Sequence, residues 1–104
     1  MASSKGYLEF VLDQLSGLNG VSHRAMMGEY ILYYRGKIFG GIYDDRLLLK
    51  PVKAAVLRMP DAISQAPYEG AKEMLLADNI DDREFLSELI EAMYDELPEP
   101  KGRN

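Results

Sequence analysis

Residues 22–50 read SHRAMMGEYILYYRGKIFGGIYDDRLLLK, and the fold of this chain is decided there. Three runs, Glu29 to Tyr34, Lys37 to Tyr43 and Arg46 to Lys50, are rich in Tyr, Ile, Leu and Phe, residue types that fit a pleated, half-buried surface. Only Arg35-Gly36 and Asp44-Asp45 separate them, with the length and chemistry of two-residue hairpin turns. The stretch reads as an antiparallel meander.

The turns set the register, and the register sets the faces. Pairing Tyr34 with Lys37 and Tyr43 with Arg46 puts Ile31, Tyr33, Ile38, Gly40, Ile42, Leu47 and Leu49 on one side, with no charge among them. The other side collects Tyr30, Leu32, Tyr34, Lys37, Phe39, Gly41, Tyr43, Arg46, Leu48 and Lys50. A solvated face would carry plain polar residues, whereas this one mixes large aromatics with bases. The first face is expected to be core. The second is expected to meet a partner through Tyr30, Tyr34, Lys37, Phe39, Tyr43, Arg46 and Lys50.

The same residues carry a family pattern. Arg24-Ala25-Met26-Met27-Gly28-Glu29-Tyr30-Ile31-Leu32-Tyr33, then Gly36-Lys37-Ile38-Phe39-Gly40-Gly41-Ile42, then Asp44-Asp45-Arg46-Leu47-Leu48-Leu49-Lys50, resembles the N-terminal domain of the TfoX/Sxy competence regulators. Phe10 to Leu15 fits that family's opening helix, and the likeness spans Tyr7 to about Leu97. Arg24, Met26, Gly28, Tyr30, Tyr33, Gly36, Phe39, Asp45, Leu47 and Lys50 are the motif positions. Met27 stands where an aromatic is usual in the family and Glu29 where a second glycine is usual.

At 104 residues and 47% hydrophobic composition, the chain is expected to form one domain that buries roughly two-thirds of its unfolded surface, enough for a core without metal or disulfide support. The expected domain spans 1–97, and the Pro-, Gly- and charge-rich 98–104 is expected to be a disordered tail. The absence of cysteine excludes disulfides, thiol chemistry and cysteine-ligated metals. Met1 to Gly6 lacks the apolar core of a signal peptide and no run is long enough to span a bilayer, so a cytoplasmic setting is expected. The net charge of −5 is uneven: residues 1–58 carry +3 and the remainder −8. An acidic domain is repelled by a phosphate backbone, which disfavours autonomous nucleic-acid binding.

Outside the meander the elements are helical or short. Tyr7, Leu8, Val11, Leu12, Leu15 and Leu18 recur at helical spacing, with Ser3 or Ser4 as N-cap and Asn19-Gly20 as a stop. A first strand is expected over Ser22 to Met27. Val52 to Met59 reads as a short helix with Val52, Val56 and Met59 sharing a face, Asp61 to Gly70 as a connection, and Lys72 to Ala77 as a fifth strand. Asp81 as N-cap, Glu84 three residues on and an Ile80/Phe85 staple predict a last helix beginning at Asp81. Its stripe runs through Phe85, Leu86, Leu89, Ile90, Met93, Tyr94 and Leu97 until Pro98. The fold class is α+β in two layers: an antiparallel sheet of about five strands, helices on one face, order α-β-β-β-β-α-β-α. The family resemblance implies a secretion-chaperone-like arrangement.

Catalytic patterns are sparse. His23 is the one histidine, so a triad or a His-rich metal site has no second imidazole, and it reads as a polar residue on an edge strand or near the helix–strand corner. Asp44-Asp45 could serve as paired carboxylates, but a hairpin needs turn formers there, and Asp supplies them. Gly40-Gly41 lies mid-strand and marks a bend or close packing against a helix. No phosphate-binding glycine loop or nucleophile elbow occurs, and no cofactor is implied. The expected function is a non-enzymatic, protein-binding regulatory domain. The resemblance implies a bacterial competence regulator acting with a transcription regulator such as the cyclic-AMP receptor protein; a homodimer is a second expectation. Longer family members carry an additional C-terminal domain, and this chain ends where that domain would begin. The alternative is a small anionic ligand or nucleic acid bound by the aromatic and basic sheet face.

Overall fold

A computed structural model describes residues 3–99, so the end of the expected tail, 100–104, lies outside the described residues. The chain runs α1 (Lys5–Gln14), β1 (Val21–Met26), β2 (Glu29–Tyr34), β3 (Lys37–Ile42), β4 (Leu47–Leu49), α2 (Lys53–Arg58), β5 (Ser64–Gln65), β6 (Met74–Leu76) and α3 (Arg83–Met93), which tightens into a 3-10 turn at Tyr94–Glu96. All strands pair antiparallel in the order β1-β2-β3-β4-β6-β5. This is the expected α+β class with one strand more, because the two-residue β5 leaves no trace in a loop-like sequence.

Three left-handed turns build the meander. Met27-Gly28, Arg35-Gly36 and Asp44-Asp45 all have φ between 52° and 87°, the conformation of type I′ hairpin turns, whose twist matches that of the flanking strands. Tyr34 pairs with Lys37, and Tyr43 and Arg46 exchange backbone hydrogen bonds of 2.9 and 3.0 Å, so both expected turn registers are present.

Between those turns the register shifts. Tyr33 faces Ile38 but Leu32 faces Gly40, so Phe39 is an extra residue on β3, a β-bulge. A bulge reverses the parity of everything beyond it. Ile42, Leu47 and Leu49 therefore lie in the helix-side core as expected, but they share that side with Leu32, Tyr34 and Phe39. The expected assignment of Ile31, Tyr33 and Ile38 to the core is corrected: they are half-buried on the outer face.

Leu8 and Val11 of α1 and Leu15 at its C-cap, Ala54 and Ala55 of α2, and Leu86, Leu89, Ile90 and Met93 of α3 close the core over the sheet. The α3 stripe is as expected; Val52 and Met59, at the two ends of α2, both pack against the core, but Ala54 and Ala55 turn inward between them and Val56 of the expected face lies in solvent. Ser4 caps α1, its hydroxyl accepting from Tyr7 N–H at 3.1 Å. The α3 cap is Asp82, not Asp81: its carboxylate accepts from Phe85 N–H at 3.1 Å, and Glu84 is one position too early for a capping box. Asp82→Ala should lower stability by about 1 kcal/mol, and Asp81→Ala should leave the denaturant midpoint unchanged. Equal effects of the two would place the helix start elsewhere.

Candidate functional site on the open face of the sheet

The bulge divides the residues expected to form one aromatic and basic surface. Phe39 is fully buried and Leu32 and Tyr34 lie under the helices, while Tyr30 is half-buried against the core with its ring edge-on to His23 at 6.1 Å. Lys37 is also buried. Its ammonium donates to the Tyr94 carbonyl at 3.3 Å, sits 4.3 Å from the Tyr94 ring centre and lies 3.6 Å from Glu99. Arg46 donates to the Gln65 side chain at 2.6 Å and to the Tyr43 carbonyl at 3.1 Å. The structure thus corrects the expected surface: Tyr34, Lys37 and Phe39 cannot reach a partner without unfolding, and Arg46 is engaged. Tyr43 and Lys50 remain accessible on the outer face.

Those two belong to a groove. Its floor is Ile31, Ile38, Tyr43 and Lys50 of the sheet, and its wall is the segment from Pro67 to Met74, which folds back over the outer face. Two adjoining hollows of about 380 and 430 Å³ share Met26, Tyr43, Pro67 and Tyr68. Lys50 lines only the first, whereas Met27 and Glu29 line only the second, so these residues mark opposite ends. The Tyr43 and Tyr68 rings are 6.4 Å apart at the waist. Burial, and then the neighbouring Tyr68 and Glu29, push the Tyr43 phenol above its ordinary value, so it stays a protonated donor through the neutral range.

The turns beside the groove are tied down. Glu29 accepts from the Ser3 hydroxyl at 2.5 Å and from Asp44 N–H at 3.1 Å; Ser3 in turn accepts from Asp45 N–H at 3.0 Å, and Asp45 accepts from Ser4 N–H at 2.8 Å. The Glu29 carboxylate thus joins two hairpin turns to the start of α1. Asp44 and Asp45 serve as turn and cap. Among the described residues no three His, Asp or Glu side chains gather to hold a metal ion, and no helix is long and apolar enough to cross a membrane.

Beyond the groove, β1 is an open edge. Five of its six residues are exposed, and Met27 at the hairpin tip is 96% exposed. The two-residue turn makes Met26 and Glu29 a hydrogen-bonded pair, so Arg24 and Ser22 also bond inward. The N–H and C=O groups of Val21, His23 and Ala25 therefore point off the sheet. The remaining motif residues are scaffold: Gly28 and Gly36 sit at φ 86° and 87° in turns, Leu47 is in the core, and Tyr33 lies beside Ile31 on the outer face.

Sequence reasoning missed Met74, Pro67 and Tyr68 as groove residues. An aromatic between Pro67 and Gly70 was the only signal, and nothing in it says which surface the loop will cover.

Comparison with known proteins agrees with the meander's pattern. The chain is 35% identical over 104 residues to an uncharacterized 12.7 kDa protein in the trpE 5' region of Spirochaeta aurantia, covering 99% of this chain and 90% of that protein. No solved structure matches. The family model of the TfoX N-terminal domain matches residues 13–96, and the chain belongs to that family.

Proposed function

We propose that this chain is a non-enzymatic regulatory domain that works by binding another protein, with the β1 edge as the receiving surface. The observation that carries the reading is the exposed six-residue edge strand, whose outward backbone groups at Val21, His23 and Ala25 have no partner strand. It contains no proline and no bulge, two devices by which proteins usually guard an edge. An extended segment can add there as a further strand, with main-chain bonds giving affinity and Arg24, Met26 and Met27 giving selectivity. Family membership supports a regulatory role in a bacterial cytoplasm, and the partner class it suggests is a transcription regulator of the cyclic-AMP receptor protein type.

Ala25→Pro tests the edge directly. It removes an N–H that bonds to nothing within the chain, so stability should change by less than about 0.5 kcal/mol, while capture of the partner from the native cell should be lost. Met27→Asp should weaken capture by a separate route, since it places a charge at the exposed tip. Capture unchanged in both variants would remove the edge as the working surface. Sedimentation of the parent as a dimer and of Ala25→Pro as a monomer would identify the partner as a second copy.

A further inference from the structure

We propose that the groove between the outer sheet face and the Pro67–Met74 wall is a binding site for a small amphipathic anion: a free apolar carboxylic acid, its carboxylate at Lys50 and its tail directed toward Met27. The site lies on the sheet face rather than on the outward backbone of the β1 edge, and shares with that edge only the side chains of Met26 and Met27. Each hollow falls in the size range of small-molecule sites, and the lining is mainly apolar, from Ile31, Ile38, Tyr68 and Met74. Chains of methylene groups gain by leaving water for such a surface.

Charge sets the orientation. Lys50 is half-buried, and among the described residues no hydrogen bond or ion pair engages its ammonium, in contrast to Lys37 and Arg46. An ammonium with no partner at the end of an apolar groove is free to form a charge-assisted hydrogen bond to an anion. Lys72 adds a second cation at this end against the single acid Glu73. The opposite end carries Glu29, whose negative charge, held in place by the Ser3 and Asp44 bonds to its Oε1, repels a carboxylate. At the waist the protonated Tyr43 hydroxyl is a further donor.

The test uses the whole chain, with octanoate as probe and 1-octanol as its uncharged analogue. Amide NMR titration with octanoate should give saturable shifts at Ile31, Ile38, Tyr43, Lys50 and Tyr68. Octanoate should bind about tenfold more tightly than octanol, the order expected for one part-buried charge-assisted contact. Lys50→Gln should abolish that preference and retain octanol binding, and Ile38→Trp should fill the floor and abolish both. Ala25→Pro should bind octanoate like the parent, which separates this site from the edge. The proposal is overturned by shifts that do not saturate, by a preference that survives Lys50→Gln, or by a parent dimer that Ile38→Trp dissociates, since a second copy would then occupy the groove. Capture of a peptide that displaces octanoate from the groove would likewise assign the groove to a protein segment and overturn the small-acid reading.

Discussion

Phe39→Ala should destabilise the domain by about 3–5 kcal/mol, a large part of the roughly 5–15 kcal/mol that holds a domain of this size together. Phe39 is fully buried and is one of the largest side chains in the core. It is also the extra residue of the bulge, so its ring fills the space that the kinked β3 opens beneath the helices. The backbone is constrained around it: the Phe39 carbonyl accepts from Lys50 N–H at 3.0 Å, so the strand cannot slide to close the cavity. Chemical denaturation with tryptophan-free detection by circular dichroism would measure the loss. A loss under about 1 kcal/mol would mean that β3 reverts to a regular strand in the variant.

Gly40→Ala should cost about 3 kcal/mol, at the top of the usual overpacking range, although it adds only one methyl group. Phe39 and Gly40 together oppose Leu32, and a Cβ on Gly40 would run into the Leu48 carbonyl oxygen and lie 3.0 Å from Leu49 Cα. Backbone atoms of a paired strand cannot rotate aside as a side-chain tip can. The control is Gly6→Ala in α1, where an added methyl meets nothing within 4 Å and removes the helix penalty of glycine. That variant should be neutral or slightly stabilised; comparable losses at both positions would show that the close approach at Gly40 is relieved by shifts elsewhere.

The bulge also explains what could and could not be read from the chain. Turns were legible because Arg35-Gly36 and Asp44-Asp45 have the chemistry that left-handed backbone requires. The α3 stripe was legible because its period is long and unbroken. Gly40-Gly41 announced a bend in β3, but only the three-dimensional fit of Phe39 under the helices decides which residue is extra. Without that, alternation carried the wrong parity through Lys37 and Phe39 and joined Tyr34 to Tyr43 on one face. The cap was misplaced by one residue for a related reason: Asp81 and Asp82 have equal side-chain chemistry, and the backbone path from Ala77 selects between them. The candidate site suffered most, since half of the groove is a loop wall whose resting place depends on contacts distant in sequence.

The sheet order has a consequence for local opening. Strands β1 to β4 close over turns of two to four residues, so little chain entropy is lost at each junction and each hairpin is largely self-supporting. The β4–β6 junction is different: it spans Lys50 to Glu73, and its outer neighbour β5 contributes only two residues. Across the segment that walls the groove, Ala71 N–H to Tyr68 carbonyl, at 3.1 Å, is a lone turn bond rather than part of a ladder. The two sides of the groove therefore differ in free energy of opening. The floor yields only with the whole sheet, while the wall can lift as a small unit and settle back, giving the groove a door on one side at a cost well below that of global unfolding.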